Sequence, residues 1–197
     1  MRLPRSDRDQ RPGRAVALQN PPGIGLWDLI GEDFRTHDRR LSEPGFWALV
    51  VHRFGNARMS VRPRILRLPL SALYRLLHTA LKWIWGIDLE YTVKLGRRVR
   101  LWHHGGMVLG ARCIGDDVHI RHNVTLGVAH RIALEKRPVI EDGVEIGVGA
   151  VIVGEVRVGR NSVVGPNSVV VNDVPAGWTV LGVPARPVCR PPRPERE

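Results

Sequence analysis

The sequence predicts a mainly β protein, a left-handed parallel β-helix of hexapeptide repeats that follows a short N-terminal α-helical segment. The first observation is a period of six over which branched apolar residues recur. The residues in phase are Val108, Ile114, Ile120 and Leu126, then Ile140, Ile146, Ile152, Val158, Val164 and Val170. No helix supports this period, and an amphipathic strand would show a period of two. The second observation is a glycine directly after many of these residues, as in Ile114-Gly115. A short fixed repeat indicates a solenoid, here over residues 87–186.

Each hexapeptide is expected to supply one short strand and one tight turn, and three of them close a triangular coil of about 18 residues. The branched residue of each unit points inward and stacks on its equivalent one coil along, where β-branched side chains pack well. Gly, Asn and Asp suit the turns because they accept unusual backbone angles. A β-sandwich rich in Val and Gly is the alternative, but unrelated strands would not keep one phase over so many steps.

Composition limits the class of protein. The chain has 197 residues, 43% of them hydrophobic, which suffices for one sizeable core and a helical appendage. The formal net charge is +11, and the basic residues crowd residues 1–14, 35–67, 94–100 and 186–196. No nucleic-acid-binding motif accompanies this charge, so nucleic acid is not an expected partner. Cys113 and Cys189 lack metal or redox spacing and are expected to be free thiols. Because neither a secretory signal nor a transmembrane segment is found, we expect a cytoplasmic protein.

Residues 23–86 are predicted to be helical, after a disordered basic N-terminus over residues 1–22. Their large apolar faces are expected to pack on each other, on the end of the β-helix or on a neighbouring subunit. A membrane-surface role for the basic segment Arg62–Arg75 is the other interpretation. The predicted helices run from about Gly25 to Asp38, from Pro44 to about Gly55, and from about Pro69 to Trp85.

One irregularity interrupts the repeat between Gly127 and Val139, because Leu126 and Ile140 are not separated by a multiple of six. A loop is therefore expected to leave the prism here, and such loops often carry function. After the last strand, residues 187–197 are expected to form a flexible tail rich in Pro and Arg.

Histidine is the natural general base near neutral pH. His104 and His122 are separated by three hexapeptide units and are expected to stack one coil above the other. His119 and His122 are only three apart, which points them to different parts of the wall and disfavours a chelating pair. No metal site is therefore predicted. The histidines expected to be surface or packing residues are His37, His52 and His78.

The segment Leu101–Gly110 reads Leu-Trp-His-His-Gly-Gly-Met-Val-Leu-Gly, and it resembles the serine O-acetyltransferases, a branch of the hexapeptide acyltransferases. In that family the catalytic His lies in a stretch of the form apolar-Asp-His-x-x-Gly-Ile-Val-Ile-Gly, which places the base at His103. The family also has an Asp fifteen residues upstream that orients this His, and Asp88 stands at that position. Other segments that resemble the family are Asn123–Gly127, Arg137–Ile140 and Gly182–Arg186.

The resemblance implies an O-acetyltransferase that makes O-acetyl-L-serine for cysteine biosynthesis, with acetyl-CoA as co-substrate and no metal. His103 would take the proton of the acceptor hydroxyl as the oxygen attacks the thioester, in a direct transfer. The pantetheine arm would lie between neighbouring prisms of a homotrimer. The candidate residues for binding acetyl-CoA are Gly127, Gly149, Ala150, Gly165 and Arg186.

The departures from the family concern the acceptor. Trp102 replaces the Asp that helps to hold the serine ammonium group, and Lys136-Arg137 replaces the Arg-His pair that holds its carboxylate. Asp38, preferred to Asp33, would supply the missing acid. An indole also suits a sugar-binding face, so the alternative acceptor is a sugar hydroxyl in exopolysaccharide biosynthesis. A second alternative is a non-catalytic or metal-binding trimeric scaffold. A complex with cysteine synthase is not expected, because the chain ends in Glu197 rather than the apolar residue that docks into that enzyme.

Overall fold

The computed structural model describes residues 20–130 and 135–188. Cys189, most of the predicted disordered N-terminus and the predicted tail beyond Val188 lie outside the described residues. The helices are α1 (Leu26–Thr36), α2 (Pro44–Ala57) and α3 (Arg64–Trp85), with one 3-10 turn at Arg58–Ser60 between the last two. None of the helices in the described ranges is long and apolar enough to cross a membrane.

A β-helix follows the three helices. The strands in the described ranges are β1 (Ile87–Asp88), β2 (Lys94–Leu95), β3 (Arg100–Leu101), β4 (Met107–Leu109), β5 (Cys113–Ile114), β6 (His119–Ile120), β7 (Thr125–Gly127), β8 (Val139–Ile140), β9 (Glu145–Ile146), β10 (Val151–Val153), β11 (Arg157–Val158), β12 (Val163–Val164), β13 (Val169–Val170), β14 (Thr179–Leu181) and β15 (Arg186–Val188). From β1 to β13 every third strand joins the same parallel sheet, and β14 and β15 extend the third sheet, so three sheets form the walls of a triangular prism. The predicted fold class, a left-handed parallel β-helix after a short helical segment, is confirmed.

The three walls are named by their strands. Wall one contains β1, β4, β7, β10 and β13; wall two contains β2, β5, β8 and β11; wall three contains β3, β6, β9, β12, β14 and β15. Among the described strands, only β15 runs antiparallel to its neighbour. In β1 to β14 the inner residue is buried, as at Ile114, Ile140 and Val158 on wall two. Val108, predicted to point inward with them, instead faces outward between buried Met107 and Leu109. Because each buried aliphatic side chain contributes about 1.5–3 kcal/mol, this stacked column stabilises the prism.

The strand register locates the irregular loop. Ile140 pairs with Val158, three hexapeptide units further along the chain, whereas the interval between the paired residues Ile114 and Ile140 is longer. The coil between Ile114 and Ile140 therefore carries eight extra residues, and they lie between β7 and β8. This position confirms the interruption that the sequence predicts between Gly127 and Val139.

A buried ion pair joins the helical segment to the first coil. Arg53 on α2 and Asp33 on α1 are both fully buried, with Nε and Oδ2 3.0 Å apart. The same guanidinium donates to the carbonyl oxygens of Leu95 and Gly96 at 2.9 and 2.6 Å. His52 is also buried, and its Nε2 donates to the Val93 carbonyl at 3.0 Å. Burial lowers the pKa of His52 to about 3, so this ring stays neutral and acts in packing.

Helix α3 begins at Arg64, five residues before the predicted start at Pro69. The prediction placed proline in the first turn, where no backbone donor is needed. In the structure Pro69 lies in the second turn and leaves the Ile65 carbonyl without its usual partner four residues on. Only Tyr74 and Leu81 of this helix are buried, so most of its surface faces outward.

Candidate active site

His103 lies in the turn between β3 and β4, at the edge where wall three meets wall one. Its φ is 64°, a left-handed conformation that is uncommon for a residue with a side chain, and its imidazole is exposed. Gly106 in the same turn has a φ of 63°, and a Cβ there would lie 2.2 Å from Asn123 Oδ1 on the next coil. This turn therefore requires glycine, and it presents His103 to the outside of the prism.

The end of α3 braces this turn. Gly86 ends the helix in a left-handed conformation, and a Cβ there would lie 3.0 Å from the backbone nitrogen of Gly106. The Met107 amide donates to the Gly86 carbonyl at 2.9 Å. The position of the His103 turn therefore depends on the junction between α3 and β1, where Asp88 also lies.

The Asp88 carboxylate contacts side chains of α3 rather than His103. Its Oδ2 lies 2.8 Å from Lys82 Nζ, and its Oδ1 lies 3.2 Å from His78 Nε2. Among the described residues, no hydrogen bond joins Asp88 to His103. The sequence assigned His78 to the surface or to packing, and the structure shows that it contacts the proposed orienting acid. Its ring also stacks on Tyr74 at 5.5 Å between centroids.

The ring that contacts His103 belongs to His122. The two ring centroids are 5.5 Å apart, and the planes meet at 84°. Coils of three regular hexapeptides would stack His122 on His104, and this prediction is wrong. In this coil Leu101 pairs with Ile120, a spacing of 19, and the same spacing aligns His103 with His122. His122 Nδ1 is buried and has no hydrogen-bond partner within the described part of the chain.

Asp38 and Trp102 meet through Arg100. Both terminal nitrogens of Arg100 bond to the Asp38 carboxylate, and the guanidinium carbon lies 3.7 Å from the centre of the Trp102 ring. The hydrogen bond to Arg100 lowers the pKa of Asp38, so this carboxylate is ionised at neutral pH. Arg121 also approaches the indole, at 5.9 Å. Two guanidinium groups therefore lie near Trp102, and the charge of the nearer one is balanced by Asp38.

Asp33, the other candidate acid, does not face the site. It is fully buried and paired with Arg53, as described above. Asp38 lies just beyond α1, where its φ of 57° turns the chain toward wall three. The sequence preference for Asp38 over Asp33 therefore agrees with the position of the two side chains.

A small groove of about 240 Å³ continues from Trp102 along the outer surface of wall three. His119, Arg121, Gly147 and Gly165 are among the residues that line it. Burial lowers the pKa of His119, whose ring lies 5.8 Å from that of Trp102, so its neutral form is favoured. The larger cavity, about 930 Å³, lies elsewhere, between the start of the helical segment and wall two.

Lys136 and Arg137, predicted to hold a carboxylate, lie at a different edge. They precede β8, where wall one meets wall two, and Lys136 Nζ lies 3.6 Å from Glu155 Oε2. His103 lies at the opposite edge of wall one. Within one chain, the full width of this wall therefore separates the proposed base from the proposed carboxylate site.

The residues predicted to bind acetyl-CoA occupy several surfaces. Gly149 shares an edge with His103, because its amide donates to the His122 carbonyl at 3.1 Å. Ala150 is fully buried inside the prism, so its side chain cannot contact a ligand. Gly127 ends β7 on wall one with open space beside it, whereas Gly165 lies on wall three against Leu181. Arg186 is exposed in β15.

The described residues contain no group of three or more His, Cys, Asp or Glu side chains placed to hold a metal ion. Cys113 is a free thiol on wall two, and burial raises its pKa. Neither observation adds a residue to the edge that carries His103.

Comparison with known proteins identifies the family. Residues 137–172 match the bacterial transferase hexapeptide family, a model of six repeats. The serine acetyltransferase of Helicobacter pylori strain J99 is 34% identical over 176 residues, which cover 89% of this chain and 93% of that protein. The serine acetyltransferase of Synechococcus elongatus is 36% identical over 155 residues, covering 76% of this chain and 59% of the relative. This chain therefore spans little more than half the length of some relatives, 52% for that of Salmonella typhimurium.

Solved structures agree with these matches. The crystal structure of Neisseria gonorrhoeae serine acetyltransferase superposes with a TM-score of 0.70 at 31% identity, covering 84% of this chain and 66% of the other. Soybean serine acetyltransferase complexed with serine gives a TM-score of 0.69 at 30% identity, covering 83% of this chain and 69% of the soybean chain. The repeat, the His103 turn and these similarities together show that the chain belongs to the serine acetyltransferase family.

Proposed function

We propose that this protein is an acetyl-CoA-dependent O-acetyltransferase with L-serine as its acceptor. The observation that carries the proposal is the turn at His103, which exposes an imidazole on the prism edge at the position of the family's base. Membership of the serine acetyltransferase family supports the same acceptor, because serine is bound in the soybean relative. A reaction that consumes acetyl-CoA would take place in the cytoplasm.

His103 acts as the general base in this proposal. Its free ring nitrogen takes the hydroxyl proton while the oxygen attacks the thioester carbonyl, and the collapse of the tetrahedral intermediate expels the CoA thiolate. The same imidazolium then returns the proton to the thiolate. A general base of this kind contributes about 10²–10⁴-fold to the rate. Asp88 and His122 are the two candidates for orienting the ring.

A homotrimer would complete the site. The outer surface of wall one carries five valines, Val108, Val151, Val153, Val169 and Val171, and the only ionisable residue in its described strands is Asp88. Such an apolar face requires cover, and a closed three-fold ring of identical chains covers it. Packing wall one around a three-fold axis would bring the His103 edge of one subunit near the Lys136 edge of the next. The two halves of the acceptor site, separated within one chain, would then meet.

The edge that carries His103 also suits the pantetheine arm. His122, Gly149 and Asn167 follow one another down this edge: the Gly149 amide donates to the His122 carbonyl at 3.1 Å, and the Asn167 amide donates to the Val148 carbonyl at 2.8 Å. Gly149 needs its lack of a side chain here, because a Cβ would lie 2.1 Å from Asn167 Oδ1. An extended chain between two prisms would therefore meet a smooth surface. Exposed Arg186 is one candidate to bind a CoA phosphate.

A sugar hydroxyl is the second candidate acceptor, and the contacts of Trp102 favour it. Asp38, the acid expected to bind an ammonium group, is already paired with Arg100. The indole that replaces the second acid lies against the Arg100 guanidinium and within 5.9 Å of that of Arg121. Because Asp38 is bound to Arg100, its carboxylate is not free to bind the ammonium group of serine, whereas an uncharged acceptor does not need it. Aromatic side chains also stack well on sugar rings.

The test is release of CoA thiol from acetyl-CoA with L-serine, nucleotide-linked sugars and oligosaccharides as acceptors. We expect turnover with L-serine and a loss of at least about 10²-fold in His103→Ala, because the base is removed. Thr179→Ala, on wall three away from this edge, serves as the matched control. Turnover with sugars alone would replace the first acceptor by the second. Unchanged turnover in His103→Ala would refute the proposed base.

A further inference from the structure

Helix α3 presents large apolar side chains to solvent on the face opposite its packed side. Ile65, Leu76 and Trp83 are 80%, 67% and 84% exposed, whereas Tyr74 and Leu81 are buried against the rest of the chain. At about 100° per residue, Ile65, Leu76 and Trp83 fall within a narrow sector of the helix surface. They therefore form one stripe, the α3 apolar stripe, along a helix about 33 Å long. Singly exposed apolar residues are ordinary, but large ones aligned along one face of a helix indicate a binding surface.

A row of cations runs beside this stripe. Arg64, Arg75 and Lys82 each directly precede one of the three apolar residues, so they lie about 100° around the helix from it. Arg64 and Arg75 are exposed, and neither forms an ion pair with any residue that the structure describes. Lys82 is 44% exposed while it contacts Asp88. Two of the three cations are therefore available to an external partner.

The charged residues of α3 itself, and of the chain from residue 44 to residue 87, have one sign. Residues 44–87 contain no Asp or Glu, while seven Lys and Arg residues occur among them. A partner for this surface must therefore be anionic as well as apolar. A second copy of α3 would bring like charges together along the whole helix, which disfavours self-association through this face.

We propose that α3 docks the protein onto an anionic lipid bilayer. A helix with an apolar stripe and an adjacent cationic row lies in the plane of the membrane interface, with the apolar side chains among the acyl chains and the cations at the headgroup phosphates. Trp83 suits this boundary, since tryptophan is enriched at membrane interfaces. The helix would lie on the membrane, because it is too polar to span one.

The proposed trimer would strengthen this binding without being needed for it. Rotation about a three-fold axis does not change height along that axis, so three copies of α3 would lie at the same level. In a trimer whose three stripes face along that axis, several weak contacts with one surface act together, and the apparent affinity exceeds that of a single helix.

The experiment is co-sedimentation of the full chain with mixed vesicles, phosphatidylcholine and phosphatidylglycerol in a ratio of about two to one, compared with vesicles of phosphatidylcholine alone. We expect binding to the anionic vesicles that falls when NaCl is raised, because headgroup attraction is screened. The double substitution Leu76→Gln/Trp83→Gln should lower the partition coefficient about tenfold or more, since both side chains insert. Arg64→Gln/Arg75→Gln should weaken binding to the anionic vesicles alone, because neutral vesicles lack headgroup attraction.

The matched control is Trp27→Gln, because Trp27 is 81% exposed on α1, away from the stripe. Equal binding to both vesicle types, or an equal loss in Trp27→Gln, would overturn the proposal. A drop in oligomeric mass of Leu76→Gln/Trp83→Gln by light scattering would overturn it too, since the stripe would then pack on a second copy. Acetyl transfer to a soluble acceptor should be unchanged in these variants, so the membrane proposal can fail while the proposed activity stands.

Discussion

Replacing Arg53 by Met should separate the helical segment from the prism. The substitution leaves the Asp33 carboxylate fully buried without its counter-ion, and it removes the donors to the carbonyl oxygens of Leu95 and Gly96. Breaking a buried ion pair from one side costs about 3–5 kcal/mol. For a domain of ordinary stability, about 5–15 kcal/mol, this loss is a large fraction of the total. We therefore expect α1 and α2 to detach, which would also remove Asp38 from Arg100.

The stability lost in Arg53→Met should depend on pH through the pKa of Asp33. Burial raises the pKa of Asp33 above that of an exposed carboxyl, and Arg53 opposes this rise. Without Arg53 the native-state pKa rises further, so the folded variant binds a proton at a pH where the unfolded chain does not. The loss of stability relative to the wild type should therefore be largest at pH 7.5 and smaller at pH 5.

Urea unfolding at both pH values measures the loss, and hydrogen exchange of α1 and α2 localises it. The double variant Asp33→Leu/Arg53→Met should recover most of the stability, because an apolar pair leaves no buried charge. A loss below about 1 kcal/mol, within the range of an exposed pair, would contradict the argument. So would an equal loss at the two pH values.

Three further predictions concern the site. If Asp88 exchanges its contact with α3 for one with the His103 ring during the reaction, as proposed, Asp88→Asn should lower kcat at least about tenfold while Lys82→Gln retains most activity. Equal losses in steady-state assays would assign Asp88 to bracing α3 instead. His122→Gln should lower kcat about tenfold with little change in KM, since the ring contacts the base rather than the acceptor; a change in KM alone would contradict this role. Trp102→Asp should lower KM for L-serine about tenfold by restoring an acid for the ammonium group, and unchanged KM would argue against serine as the acceptor.

The sequence alone predicts the prism, but it does not predict which side chains of neighbouring coils and helices contact one another. The period of six predicts the walls because each inner position, such as Ile114 or Ile140, faces the same apolar interior. The eight-residue loop follows from the break in that period. Extra residues in the early coils do not break it visibly, so the spacing of 19 between Leu101 and Ile120 went undetected, and His122 was paired with His104 instead of His103.

Contacts between the helical segment and the coils depend on tertiary packing. The apolar pattern located α3 but not its first residue, because Pro69 is tolerated one turn inside the helix. No local pattern shows that Lys82 and His78 would reach Asp88, or that Arg100 would hold Asp38 beside Trp102. The family motif identifies the proposed site residues, whereas the side chains that contact them are set by tertiary packing.

The way the two ends of the prism are closed determines how copies of the protein can assemble. At the last coil β15 pairs with β14, and the backbone of Val169 on β13 bonds to Gly182 and Ala185. At the first coil, α2 and α3 cover β3 and β1. Stacked β-rungs with open ends would polymerise lengthwise into fibres. Here growth along the axis is blocked at both ends of the described stack, so copies of the chain could associate only sideways.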